Sequence, residues 1–200
     1  MNIDKAKALI KNLCTDTENA IRIAEVVKIF TEDDRITKIF NDTKEANVFN
    51  IIRGSLDYTL IGSVAKIYDT HFKTNSLHNF FYKLCMTSSL EELKNNDYIK
   101  KAKDKYDKFK EDIHLKNIKK LRHKFVAHSA IDRIKYLDIE VKYKHLYETI
   151  DKTIPIIQNL SIAVLDCDFE NNEGDEQYSL KNIYKEYSRL FTNRLFKKYE

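Results

Sequence analysis

Apolar residues recur every three or four positions along most of this chain, which is the spacing of one face of an α-helix. The pattern predicts helices at residues 3–13, 15–29, 43–68, 76–84, 141–167 and 179–199, with a short amphipathic turn at 36–40 and an acidic loop at 169–177. Between residues 96 and 127 the helical spacing continues, but lysines are interleaved with it. We therefore expect an all-α fold.

Polar residues, glycine and proline set the expected helix ends. The candidate caps, in chain order, are Thr15 with Glu18, Thr43, Ser76, and Ser88 or Ser89 with Glu91 or Glu92. Pro155 lacks the backbone N–H that a helix interior needs, so it is expected to kink the helix at 141–167 or to start it anew. Gly54 and Gly62 each cost about 1 kcal/mol relative to Ala in a helix, and the close approach of another helix is one expected compensation.

Composition narrows the fold further. The chain has 200 residues, 42% of them apolar, with only three Gly and one Pro. This leaves little material for the turns of an all-β sandwich, for a dinucleotide-binding α/β fold or for a P-loop. We expect a single-domain antiparallel helical bundle over residues 1–168, with the acidic loop and last helix at 169–200 in the same domain.

The sequence indicates no membrane span, signal peptide, disulfide framework, metal site or cofactor site. No apolar run approaches the roughly 18 residues of a membrane span, and the N-terminus lacks the apolar stretch of a signal peptide. We therefore expect a cytoplasmic protein without membrane contact. The cysteines are far apart and the histidines lack metal-ligand spacing, so no disulfide framework, metal or cofactor is expected.

Positive charge is concentrated in one part of the chain. The net charge is only +4, but residues 94–124 hold twelve basic and five acidic side chains. Tyr98 and Tyr106 lie among these lysines, and core or interface packing is the favoured role for them over base stacking. A solvated helix face is the usual reason for such a run, and contact with RNA phosphates is the alternative. The candidate phosphate contacts are Lys101, Lys105, Lys119, Lys120 and Lys124.

The basic region leads into the segment 115–132, where Arg122 has an unusual position. At about 100° per residue, Arg122 falls within the apolar arc of the helix rather than on its solvated face. One interpretation is structural, with the side chain covering the core and reaching water or a carboxylate. The other is functional, because a guanidinium held in a groove is a planar, permanently charged fork suited to phosphate oxygens.

His128 is the nearby group whose charge changes near neutral pH. A structural role is the commoner one for a lone histidine. On one straight helix it would lie about 120° from Arg122, so either the helix ends or bends near Ala127, or two copies of the motif meet across a two-fold axis. Cleavage of RNA without metal needs a base for the 2′-OH and an acid for the leaving 5′-oxygen, and a histidine from each protomer supplies both.

The segment LRHKFVAHSAID at 121–132 resembles the signature of the HEPN superfamily (higher eukaryotes and prokaryotes nucleotide-binding domain), which is Arg, a polar residue, a short spacer and His. Here these are Arg122, His123, the spacer 124–127 and His128. The ending Ala-His-Ser is similar to the abortive-infection branch of that superfamily, as is the upstream stretch NIIRGSLDYTLIGSVAKIYD at 50–69. The resemblance extends over about residues 43–167.

The resemblance implies a helical bundle that dimerises around the motif and, in many members, cuts RNA without metal. Arg122 and His128 would be the catalytic residues, and His123 would orient a group or contact RNA. The implied partners are RNA, a second copy of the chain, and a cognate antitoxin or nucleotidyltransferase. Two alternatives stay open, namely a noncatalytic HEPN module that binds nucleotide, RNA or protein, and a helical dimerisation protein without a ligand.

Overall fold

The computed structural model describes residues 1–32, 38, 46–123 and 141–167. Within these ranges the chain forms seven α-helices and one 3-10 turn, and it contains no strand there, so the predicted all-α fold is confirmed. The helices are α1 (Ile3–Glu32), α2 (Ala46–Ile67), α3 (Leu77–Met86), α4 (Glu91–Asn95), α5 (Asp97–Phe109), α6 (Ile113–Leu121) and α7 (Tyr143–Leu165). The expected features at 36–40, Thr43, 169–177 and 179–199 lie outside the described residues, apart from Lys38.

The first helix is continuous, and the predicted break before Thr15 is wrong. The Thr15 hydroxyl does not cap a new helix but donates to the carbonyl of Lys11, and the buried Thr17 hydroxyl donates to Leu13 at 2.8 Å. Threonine within a helix makes such bonds one turn back. Since no Gly or Pro interrupts this part of the chain, one apolar face runs from Ala6 to Phe30.

Polar side chains cap the N-terminal ends of three helices near the candidate site described below. The Ser76 hydroxyl accepts the N–H of Asn79 at the start of α3, which confirms that predicted cap. Asn96 caps α5, and Asp112 caps α6 by accepting two backbone N–H groups. In the described part of the basic stretch, the caps at Asn96 and Asp112 therefore start two separate helices.

The second predicted capping box is wrong. The 3-10 turn Ser88–Leu90 precedes α4, and neither element has a side-chain cap. The hydroxyls nearby are engaged elsewhere, because Thr87 donates to Lys83 and Ser89 donates to the carbonyl of Met1.

Helix α7 runs through Pro155 without a new start. Ile156, Ile157 and Leu160 directly after the proline are fully buried. This packing keeps the segment helical although proline removes one backbone bond.

One hydrophobic core joins residues from α1, α2, α3, α5, α6 and α7. Helix α1 packs against α2 and α7, α5 packs against α7, and α6 contacts both α2 and α7. Gly54 is not at a close approach, since a Cβ there would meet nothing within 4 Å. Among the described residues, the expected neighbouring helix at Gly54 is therefore not found.

Candidate functional site

The candidate site lies where α6 ends. Leu115 and Ile118 anchor the inner face of α6 in the core, and Leu121 is partly buried. Arg122 follows as the C-terminal capping residue, and its side chain is 36% exposed. The guanidinium thus lies at the boundary between the core and solvent, where the helical spacing predicted it.

Arg122 is held by a carboxylate from another part of the chain. Its Nη1 donates to Oδ2 of Asp69 at 2.8 Å, and the Asp69 side chain is only 13% exposed. Asp69 lies two residues after the end of α2, and its Oδ1 accepts the backbone N–H of His71 at 2.9 Å. Both carboxylate oxygens are therefore engaged, which fixes the acceptor and with it the guanidinium.

The pKa of Asp69 reflects these contacts. Burial by itself would raise the pKa, but the N–H of His71 and the guanidinium of Arg122 outweigh it and lower the pKa below the ordinary value. The carboxylate is thus charged at neutral pH and forms a true ion pair.

Regular α-helix stops at Leu121, and the chain continues through Arg122 and His123 in a π-helical turn. The angle of about 120° that an ideal α-helix would place between Arg122 and His128 therefore does not apply. His123 is exposed. His128 and Lys124 lie outside the described residues.

The candidate phosphate-binding lysines fall into two groups. Lys101, Lys105 and Lys120 are exposed, whereas Lys119 is partly buried. Burial is the main cause that lowers the pKa of Lys119, while the carboxylates of Asp69 and Glu111 oppose the change. Lys119 therefore lies within the electrostatic reach of the Arg122 ion pair.

Much of the basic stretch is neutralised by nearby carboxylates. On α5, Lys108 pairs with Asp104 at 2.7 Å, and Lys103 and Lys110 both pair with Asp107. Such pairs one helical turn apart support the interpretation of this stretch as a solvated helix face.

A pocket of about 190 Å³ opens beside Lys119. We call it the Lys119 pocket, and its polar lining includes Thr70, His78, Tyr106, Lys110, Glu111 and Lys119. The Tyr106 hydroxyl lies 3.4 Å from Nδ1 of His78. No pattern in the sequence groups these side chains, because they come from three separate segments.

A second polar cluster does not involve Arg122. Asp57 on α2 accepts the hydroxyl of Tyr143 at 2.9 Å, and Arg53 donates to the same hydroxyl at 3.4 Å. Burial raises the pKa of Asp57, although Tyr143 and Arg53 oppose it. Of the two carboxylates that the upstream stretch offers, Asp69 and not Asp57 reaches Arg122.

Comparison with known proteins places the chain in a family. The model of the AbiU2 family of HEPN domains matches residues 3–193. The chain belongs to the HEPN AbiU2 family. This confirms the predicted resemblance to abortive-infection HEPN domains, and the HEPN AbiU2 match extends beyond the expected 43–167 at both ends. Searches of curated proteins and of solved structures gave no match.

The described part of this HEPN AbiU2 chain also bears on membrane and metal sites. Over the described ranges, no helix is long and apolar enough to cross a membrane. Over the same ranges, no three His, Cys, Asp or Glu side chains are grouped so that they could hold a metal ion.

Proposed function

We propose that this HEPN AbiU2 protein is a metal-independent endoribonuclease of the abortive-infection or toxin type, which cuts single-stranded or looped RNA as a homodimer. The observation that carries this proposal is the ion pair between Arg122 and Asp69. It holds a permanently charged, planar donor in one orientation at the edge of the core. A donor fixed in advance stabilises developing charge without reorganising during the reaction.

The proposed reaction is attack of a ribose 2′-OH on the adjacent phosphorus. A bond forms between the 2′-oxygen and phosphorus, the bond to the 5′-oxygen breaks, and the products are a 2′,3′-cyclic phosphate and a free 5′-OH. One group takes the proton of the 2′-OH and another gives a proton to the leaving oxygen. We assign these transfers to His128 of the two protomers, and charge stabilisation on phosphorus to Arg122.

The geometry at Arg122 suits this role. The contact with Asp69 uses Nη1, and no described residue engages the donors on Nε and Nη2. Since a guanidinium presents its N–H donors as a planar fork, a phosphate can approach the remaining edge while Asp69 keeps the group in place.

The direct experiment measures cleavage of a structured RNA in excess EDTA by wild type, Arg122→Ala and His128→Ala. Removal of a positioned acid, base or charge should lower the rate by about 10²–10⁴. Arg22→Ala is the matched control, because Arg22 is also an ion-paired, partly exposed arginine but lies on α1. Equal rates for all four proteins, or a wild-type rate abolished by EDTA, would reject the proposal.

The second candidate is a noncatalytic HEPN module that binds nucleotide, RNA or a partner protein such as an antitoxin or a nucleotidyltransferase. The same ion pair favours it, since a guanidinium that ties α6 to the segment after α2 already has a structural use. This candidate predicts salt-sensitive RNA binding with no cleaved product. A 2′,3′-cyclic phosphate end on the product distinguishes the two functions.

A further inference from the structure

The Lys119 pocket contains one cation without an ion pair among the described residues. Lys110 pairs with Asp107 at 2.8 Å, and the carboxylate of Glu111 pairs with Lys116 at 2.6 Å. Lys119 has no such contact there, although it is partly buried at the pocket wall. A partly buried ammonium without an ion-pair contact has lost hydration that no direct partner replaces, so an anionic ligand would stabilise this arrangement.

The size and walls of the pocket restrict the ligand. A cavity of about 150 Å³ holds one benzene ring, and drug-sized ligands need about 300 Å³ or more. At about 190 Å³ the pocket therefore suits a single phosphate or a single base, not a whole cofactor.

The aromatic ring at the wall argues against a base. Tyr106 is stacked on Tyr68, with ring centroids 6.3 Å apart, and it also packs against Phe81 at 5.0 Å. The side chain of Tyr106 is nearly completely buried by these contacts. Because its ring is already covered, a nucleobase cannot stack on it, and a phosphate on Lys119 is the better fit.

The pocket adjoins Arg122. Arg122 caps α6 three residues after Lys119 and keeps helical backbone angles, which places the two residues on one side of the helix and about 4.5 Å apart along its axis. Thr70 in the pocket wall directly follows Asp69, the partner of Arg122. One nucleic-acid strand can therefore contact both cations with neighbouring phosphates.

We propose that the Lys119 pocket binds the phosphate next to the one held at Arg122, a phosphate of the substrate RNA that is not cleaved. The proposal rests on RNA being the substrate, as argued above. Lys119 is the direct contact, while Thr70 and the imidazole of His78 are further hydrogen-bonding groups in the same wall.

The test pairs protein variants with modified RNA. Cleavage products of the wild type first locate the scissile phosphate. Binding is then measured by fluorescence anisotropy with 2′-O-methyl RNA, which lacks the attacking hydroxyl, and with versions in which single phosphates are replaced by neutral methylphosphonates. We expect Lys119→Gln to weaken binding about tenfold, and Lys119→Arg to retain most of the affinity.

The effects of Lys119→Gln and of a methylphosphonate on the free energy of RNA binding should not add. One neighbouring methylphosphonate should weaken binding to the wild type but have little effect on Lys119→Gln, because both changes remove the same contact. Lys120→Gln is the control, since it removes the same charge from an exposed side chain one residue along α6. Far-ultraviolet circular dichroism of each variant verifies that it is folded.

The outcomes separate the pocket from the proposed function. If wild type and Lys119→Gln bind and cleave RNA equally, or if Lys120→Gln loses as much affinity as Lys119→Gln, the pocket proposal is wrong and the ribonuclease proposal stands. If RNA does not bind but AMP or inorganic phosphate binds in a Lys119-dependent way, the phosphate comes from a free small molecule. That outcome would make both proposals wrong, and so would the absence of any binding.

Discussion

The orientation of Arg122 depends on a carboxylate that lies 53 residues earlier in the chain. Asp69 is itself oriented by the N–H of His71, so the guanidinium is fixed through two successive contacts. Such an arrangement can act as a rigid donor toward a ligand because its own side-chain freedom is already lost.

Asp69→Asn tests this positioning role. Asparagine keeps an oxygen for the N–H of His71 but removes the charge that holds Arg122. We expect RNA cleavage to fall about tenfold, with the free energy of unfolding changed by less than about 1 kcal/mol because the pair is partly exposed. Single-turnover kinetics and urea unfolding measure the two effects, and a large loss of stability with unchanged cleavage would contradict the role.

His145 gives the molecule a pH-dependent contact away from the site. Its ring stacks on His114 with centroids 3.7 Å apart, and its Nδ1 accepts the N–H of Lys142 at the start of α7. Burial is the main cause that lowers the pKa of His145, and His114 adds to it. Protonation at Nδ1 would also remove the acceptor for Lys142.

Stability should therefore fall as the pH falls below about 6.5. In that range the unfolded chain binds a proton at residue 145, whereas the folded chain binds it only at lower pH. His145→Gln keeps an acceptor at the third helical position and does not titrate. Urea unfolding at about pH 7.5, 6.5 and 5.5 should show a smaller loss for the variant, and identical pH profiles would contradict this explanation.

Sequence reasoning placed Arg122 correctly but did not connect it to Asp69. Helical spacing reports which side of one element a residue occupies, and that was sufficient for Arg122 on α6. The partner depends on how α6 packs against the end of α2, and no local pattern encodes that distance. The Lys119 pocket is not predictable from the sequence for the same reason, because Thr70, His78 and Tyr106 come together only through packing.

At the scale of elements, the spacing of polar residues did not decide whether a side chain caps a new helix or bonds within a continuing one. Thr15 with Glu18 has the spacing of a capping box, yet α1 continues because Thr15 bonds to the previous turn. Ser76 has the same chemistry but follows a non-helical segment, and there it does cap α3. The side chain alone does not decide between the two uses.

The cap of α6 should matter for stability because this helix carries Lys119 and Arg122. Asp112 accepts the N–H groups of His114 and Leu115, and its other oxygen lies 3.4 Å from Lys152. Asp112→Ala should lower the free energy of unfolding by about 1 kcal/mol. Asp112→Asn keeps the cap but loses the partly exposed ion pair, so it should cost less.

Urea unfolding followed by circular dichroism measures both Asp112 variants. The expected order of stability is wild type, then Asp112→Asn, then Asp112→Ala. If the two variants lose the same free energy, the contribution comes from charge rather than from the cap.

At the scale of the whole molecule, charge is arranged differently from what a count along the chain suggests. Each of the four lysines that pair along α5 and at its end does so with a carboxylate about one turn away. A broad electrostatic track for RNA along α5 is therefore weakened. Lys119 and the motif residue Arg122 instead form the more localised region for which we propose phosphate binding.

The assembly is the last property to test, because the proposed chemistry uses a histidine from each of two chains. We expect a mass of about twice the 23.7 kDa of one chain in sedimentation experiments. Below the dissociation constant of the dimer, the rate of RNA cleavage per chain should fall in proportion to protein concentration, since the cleft then forms in only a fraction of the molecules.

A tandem fusion of two copies through a flexible linker provides the control. The linker holds the second copy at about millimolar effective concentration, so the fused protein should keep its specific activity on dilution. Fused pairs that carry His128→Ala in one copy or in both then report whether one histidine is sufficient. Constant activity per chain through the range in which sedimentation shows monomers would mean that a single protomer contains the complete site.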